Sequence, residues 1–452
     1  MHIVNIHKLL KTTVSYKEII TLSLPIIAGS AIENFTILIN TAFLGHVGSV
    51  ALGAAAIGGI FYLALVMVGY GFGIGAQIII ARRYGEKNVS EIGTTIHHAA
   101  FFLGFVALIF FSSILLWGNI FFNHFLQSKA IYSGVKEYMQ FRIWGIFFAY
   151  TNILFKAFYT GILKTKVIGI SSAIIALFNI FFDFSLIFGH FGFHQMGIAG
   201  AGLASVIAEF AGTLFFFIYT FSHKGISEFN ITRFSKLSFR VLWNILKIAS
   251  PVMAQFTVSF GGWFAFFIMV ERMGEVPLAI SNIIRTVYMI VLLPLWGYSS
   301  TTNTLTSYKI GGGKIDEVIP LLKKIIKLSL ITVASFILII NLFSHSWFQL
   351  FTNDPEIISG CLPVLWIVSI SSVFISFAFI LYSGVAGTGN TLVSLVIETT
   401  IITLYVIWTY FTSHSSYSSI ALVWSAEIIY GVAMVILSGL YLTFGNWKNA
   451  KV

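Results

Sequence analysis

Eight ionisable side chains sit in stretches of this chain that are otherwise too apolar to hold them. The acids are Glu33, Asp183, Glu209, Glu398 and Glu427; the bases are Arg142, Lys156 and Arg285. A charge at the centre of a bilayer costs about 2.5–3.5 kcal/mol on insertion scales. Residues placed there face a bundle interior or water, and they bind ions, relay protons or pair with one another.

Each acid supports more than one reading. Glu33 and Asn40, in "SAIENFTILINTAFLGHVG", are seven residues apart. They share one helix face, about 10 Å apart along the axis. Low dielectric disfavours an ionised carboxyl. Glu33 therefore either takes up a proton or cation, with Asn40 offering a neutral oxygen nearby, or is permanently protonated or locked to a base such as Lys156 or Arg142 and only ties helices together. Asn179 and Asp183 stand at i, i+4 on one face. They suit cation coordination or a proton relay, or else a polar contact near a helix end. Glu398 and Glu427 are possible second-half ion or substrate contacts, together with Gln255 and Arg285, while Glu209 and Glu427 also suit a shared structural task, bonding to backbone or to a base. The forked guanidiniums of Arg142 and Arg285 suit buried carboxylates. The stretch "GGWFAFF" with Tyr288, Trp296 and Tyr298 offers either a cation–π surface or ordinary packing.

The elements that position these groups follow from composition. The chain has 452 residues, 58% hydrophobic and 9% charged, against about 25% charged in a soluble domain. Residues 51–81, 99–128 and 328–353 hold no Asp, Glu, Lys or Arg. A membrane helix needs about 20 apolar residues, and the alternation of a β-barrel strand is missing. Twelve spans are expected, near 19–45, 52–81, 92–118, 132–160, 167–189, 197–221, 243–271, 277–308, 321–344, 357–386, 392–412 and 417–444. With both termini cytoplasmic, 20 of the 26 Lys and Arg fall in inside segments, and only Lys129, Lys136 and Arg272 fall outside, as the positive-inside rule requires. Lys8, Lys11, Lys17 and Glu18 interrupt the first twenty residues, so a cleavable signal peptide is not expected. A single cysteine, Cys361, excludes an internal disulfide and a thiolate metal cluster. The histidines show no ligand spacing and "GGGK" lacks the P-loop spacing, so no metal, cofactor or nucleotide is expected. The net charge of +10 reflects membrane orientation rather than nucleic-acid binding.

The chain also repeats itself. Shifted by 226 residues, Pro25 meets Pro251, Gly48 meets Gly274, Gly71 meets Gly297, Glu91 meets Glu317, Gly161 meets Gly387 and Thr165 meets Thr391. After about eight extra residues, "GHFGFHQM", Glu209 meets Glu427. The fold class expected is an all-α integral membrane protein, with twelve transmembrane helices in two pseudo-symmetric six-helix bundles. The lobes are 1–222 and 243–452, joined by a cytoplasmic loop at 223–242. Such parallel repeats are common in transporters, with substrate held between the halves.

Several segments carry a resemblance. "LPIIAGSAIENFTILINTAFLGHVGSVALGAAAIG", "GYGFGIGAQIIIARRYGEKN", "SPVMAQFTVSFGGWFAFFIMVERMGEVPLAISNIIR" and "WGYSSTTNTLTSYKIGGGK" resemble, in order and spacing, the multidrug and toxic compound extrusion (MATE) transporters. "NIFFDFSLIFG" and "GIAGAGLASVIAE" resemble that family's fifth and sixth helices. The resemblance covers essentially the whole chain. It implies a secondary active antiporter, not an enzyme, that exports small organic and often cationic compounds against inward H+ or Na+. It implies a multi-pass protein of the bacterial inner membrane, expected as a monomer in the lipid bilayer. It implies coupling through an acid in the first helix, Asn and Asp in the fifth, here Asn179 and Asp183, and a hydroxyl in the sixth, here Ser205, with Pro25 as the helix hinge; Glu33, Asn40 and Glu209 join them as cation-coupling candidates from the reading of the residues. The family's first-helix pattern D-T-x-x-x-G reads "NTAFLG" here, so Asn40 stands where Asp is expected. The competing function is a lipid-linked oligosaccharide or other lipid flippase of the same superfamily. A pyrophosphate cargo would call for more intramembrane bases than this chain offers.

Overall fold

The computed structural model describes residues 14–223, 228–232, 236–415 and 418–448. Lys8, Lys11, Lys224, Arg233 and Lys451, which enter the charge asymmetry, and His2 and His7 lie outside the described residues. Among the described residues all regular structure is helical. The helices are α1 (Tyr16–Val47), α2 (Ser49–Gly85), α3 (Val89–Phe125), α4 (Lys129–Arg142), α5 (Gly145–Gly161), α6 (Lys166–Phe188) and α7 (Ile198–Ser222). The second half adds α8 (Phe239–Glu271), α9 (Glu275–Gly311), α10 (Val318–Leu342), α11 (Ser344–Gln349), α12 (Pro355–Gly387), α13 (Thr391–Ser413), α14 (Ile420–Trp424) and α15 (Ala426–Phe444).

Among the described residues, 11 helical stretches are long and apolar enough to cross a membrane. The remaining expected span, 132–160, is two helices, α4 and α5, interrupted at Ile143 and Trp144. Its counterpart α12 runs unbroken through Val368, the position equivalent to Arg142. The last span is also stepped, at Ser425 between α14 and α15.

Local chemistry sets the helix ends. Asp354 caps α12 by accepting the Glu356 N–H at 2.9 Å, with Pro355 at the first helical position, where its missing N–H costs nothing. Ser128 caps α4 in the same way.

Packing divides the chain into two compact units: Ala28–Met253, and Ala254–Val452 together with the chain up to Ile27. The divisions lie inside α1 and α8 rather than in the 223–242 loop, and they are 226 residues apart. Two glycines explain them. A Cβ on Gly71 would lie 2.7 Å from the Met253 Cα, and one on Gly297 would run into Ile27. The start of α8 thus beds on α2, and the start of α1 beds on α9. Both crossings come two residues after a proline, Pro25 or Pro251. Neither proline has an N–H to bond the carbonyl four residues back, which weakens the helix there.

The core of the first unit gathers Leu44, Ala54, Phe122, Tyr138, Ile187 and Ile198. That of the second gathers Phe266, Tyr288, Val368, Tyr405 and Trp424. The sequence left Tyr288 and Tyr298 open as cation–π surface. Both are buried, and the hydroxyl of Tyr298 lies 3.1 Å from that of Thr332.

Candidate functional site

In the first unit the polar stripe of α1 turns toward α6. Glu33 accepts the Ser172 hydroxyl at 2.8 Å and the Lys156 ammonium of α5 at 2.5 Å. One step along, Asn40 donates its amide to Asn179 Oδ1 at 2.8 Å. The seven-residue spacing of Glu33 and Asn40 is matched by the seven-residue spacing of Ser172 and Asn179. Two helices can align two such pairs when their faces run together.

Asn179 Nδ2 reaches Ser205 Oγ of α7 at 3.5 Å, the outer limit of a hydrogen bond. One turn below Asn179 is Asp183, with 0% of its surface exposed. Neither of its carboxyl oxygens has a hydrogen-bond partner, and neither does Asn40 Oδ1.

Glu209 of α7 is not part of that group. It receives both arms of the Arg142 guanidinium, at 2.6 and 3.0 Å, and the Tyr62 hydroxyl at 3.2 Å. The guanidinium also lies 3.5 Å over the Tyr62 ring. A Cβ on Gly145 would fall 2.5 Å from Glu209 Oε2 and 3.0 Å from the Tyr62 hydroxyl. The glycine that opens α5 leaves room for this cluster, and α4 ends on the arginine that serves it. The break in the fourth span and the buried ion pair are one feature.

In the second unit Glu398 of α13 accepts the Ser259 hydroxyl of α8 at 2.5 Å. The Tyr430 hydroxyl stands 3.2 and 3.4 Å from its two oxygens. Glu427 of α15 takes one hydroxyl on each oxygen, Tyr288 at 2.8 Å and Tyr405 at 3.0 Å. Arg285 compensates neither acid. It is exposed and stands 5.1 Å from the Phe267 ring centre. Gln255 is half-buried on α8, and its carbonyl accepts the Ser259 hydroxyl at 3.0 Å as an alternative to Glu398. Among the described residues no three His, Cys, Asp or Glu side chains gather as metal ligands would.

Superposing the repeat on these contacts shows what each half kept. Tyr62–Glu209 becomes Tyr288–Glu427, and the Arg83–Glu91 pair at 2.9 Å becomes Lys309–Glu317 at 2.6 Å. Asn40–Asn179 becomes the ring contact Phe266–Tyr405, with centroids 5.7 Å apart. Asp183 is replaced by Thr409, whose hydroxyl closes on the Tyr405 carbonyl at 2.8 Å. The polar group around Asp183 therefore belongs to one half alone.

Known proteins similar to this chain agree with that architecture. The MatE family model matches residues 25–185 and again 251–412. The chain belongs to the MatE family. The double match follows the internal repeat, and it makes this MatE protein a multi-pass membrane transporter of the multidrug-efflux family. A Thermotoga maritima protein described as "Probable multidrug resistance protein NorM" is 27% identical over 87% of this chain and 83% of its own length. "Probable multidrug resistance protein YpnP" of Bacillus subtilis is 24% identical over 96% of both. A solved structure described as "Outward-facing conformation of a multidrug resistance MATE family transporter of the MOP superfamily" superposes with a TM-score of 0.90 at 19% identity, over 98% of each chain. That likeness is one of fold.

Among the residues singled out from sequence, the structure joins Asn40, Asn179 and Ser205 in one contact chain, with Asp183 a turn below Asn179. It sets Glu33 with Lys156, and Glu209 with Arg142. Sequence reasoning passed over Tyr62, Ser259 and Tyr430. The first two carried a signal all the same: they sit at repeat-related positions to Tyr288 and Glu33.

Proposed function

We propose that this MatE transporter is a secondary active antiporter that exports small organic compounds, preferentially cations, against inward H+ or Na+. It works as a monomer in the bacterial cytoplasmic membrane with both termini inside. The observation that carries this reading is Asp183, fully buried with both carboxyl oxygens unpartnered. An ionised carboxylate stripped of water and donors is prohibitively costly, so such a group is neutralised in place. A proton or a cation does this, and the coupling gradient supplies either. Asn179 and Ser205 add neutral oxygens of the kind that Na+ takes.

The intramembrane bases Arg142 and Lys156 are already held by carboxylates. An anionic lipid-linked cargo would have to compete with those pairs, whereas a cation would not. Loading the Asp183 region changes the charge beside α1, and Pro25 gives α1 the place to bend in response.

Proteoliposomes with separately imposed ΔpH and ΔNa+ test the reading. Asp183→Asn is expected to abolish gradient-driven efflux of an organic cation while the protein stays folded. Full coupled transport by that variant refutes it.

A further inference from the structure

The same contact is built twice with its chemistry exchanged. Where α1 meets α6 the acid is on the first helix and the hydroxyl on the second, Glu33 with Ser172. Where α8 meets α13 the hydroxyl is on the first and the acid on the second, Ser259 with Glu398. Each half thus holds one carboxyl and one serine at one contact, 226 residues apart. The surroundings differ. Glu33 has an ammonium, Lys156; the position equivalent to Lys156 is Tyr382. Its hydroxyl donates to the Ser394 carbonyl at 3.0 Å instead.

We propose that Glu398 is a second proton-binding site, the exchangeable carboxyl of its half, whereas Glu33 remains ionised against Lys156. The side chains that hydrogen-bond to the Glu398 carboxyl are both hydroxyls, Ser259 from α8 and Tyr430 from α15, and Tyr382 of α12 is a further titratable neighbour. Among the described residues no Lys, Arg or His comes within ion-pair distance of it, and only 1% of its surface is exposed. A buried carboxyl with hydroxyl partners alone is balanced when it carries a proton.

Its two oxygens are also unequal. One takes the short Ser259 bond, and the other has only the Tyr430 hydroxyl at 3.4 Å, a marginal length. That leaves one oxygen free to carry the proton. Glu427 differs, since each of its oxygens already has a good donor. Glu398 therefore holds a proton when α13 is closed against α8 and α15, and gives it up when the contact opens to water. The use of this proton rests on the antiporter reading; its presence does not.

Infrared difference spectra of the full-length protein in lipid, alkaline minus acid, read protonated carboxyls directly. One carbonyl-stretch component is expected to vanish in Glu398→Gln and to persist in Glu33→Gln. Tyr382→Lys, which rebuilds the Glu33–Lys156 arrangement in the second half, is expected to remove the same component with Glu398 still present. Ser259→Ala is expected to move that component to higher frequency, and this tests the assignment even if the lysine variant does not fold. A spectrum in which Glu398→Gln loses no component, or a Glu398 component that persists at every pH where the protein stays folded, overturns the proposal. Loss of coupled efflux is read on Asp183→Asn and is independent of this band, so the two readings fail separately.

Discussion

Replacing Arg142 with methionine isolates the ion pair at the break of the fourth span. Its two bonds to Glu209 are 2.6 and 3.0 Å long, and the side chains are 11% and 15% exposed. Unit charges about 4 Å apart attract by about 4 kcal/mol at an effective dielectric of about 20. Removing one partner of a buried pair costs about 3–5 kcal/mol, because the other is left uncompensated. Methionine keeps an apolar chain of similar reach and removes the charge together with the guanidinium over the Tyr62 ring, so the loss is electrostatic. Glu209 would keep one donor, the Tyr62 hydroxyl at 3.2 Å. The second half already tolerates an apolar residue here, Val368, because Tyr405 gives Glu427 a second hydroxyl. We expect Arg142→Met and Glu209→Leu each to lose about 3–5 kcal/mol in reversible denaturant unfolding from mixed micelles. The double variant should lose only about 1–3 kcal/mol, the penalty of orphaning the Tyr62 hydroxyl. A coupling energy below about 1 kcal/mol, the scale of an exposed pair, would refute the argument that this pair is buried and fixes the helix break.

Other expectations follow from the same contacts. Gly145→Ala drives a methyl into the Arg142–Glu209–Tyr62 cluster and should cost about 1–3 kcal/mol, read in the same unfolding assay. Gly71→Ala places its Cβ against the Met253 backbone rather than a yielding side chain. A similar loss of about 1–3 kcal/mol is expected, together with a slower efflux rate, since α8 could no longer seat on α2. Glu33→Gln breaks a pair whose carboxyl is 42% exposed. It should leave gradient-coupled efflux in proteoliposomes intact, in contrast to Asp183→Asn, since Lys156 rather than the gradient neutralises Glu33.

Much of this was legible from residue order. The rarity of charge marked a membrane protein, and the 226-residue repeat marked two like halves. The spacing of Glu33 from Asn40, and of Asn179 from Asp183, placed each pair on one helix face. The partner of each acid was not legible in this way. Lys156 and Arg142 were equal candidates for Glu33, and only the fold sends Lys156 to Glu33 and Arg142 to Glu209. Arg285 looked like a counter-ion for the second-half acids and instead lies out over Phe267. The fourth span read as one helix, since residue order carries no mark of a glycine left open for a guanidinium.

Sequence by itself determined the membrane, the helices, the duplication and which residues are too costly to be in lipid without purpose. These depend on composition and on periodicity along one helix, which local order encodes. The tertiary structure alone decided which acids are neutralised by a base, which by hydroxyls and which by nothing on the chain. It also decided that α1 and α8 contribute to both packing units. Those outcomes depend on contacts between residues 139 apart or 67 apart in the chain, where a difference of one side chain at the meeting point changes the electrostatics while the apolar pattern around it stays the same.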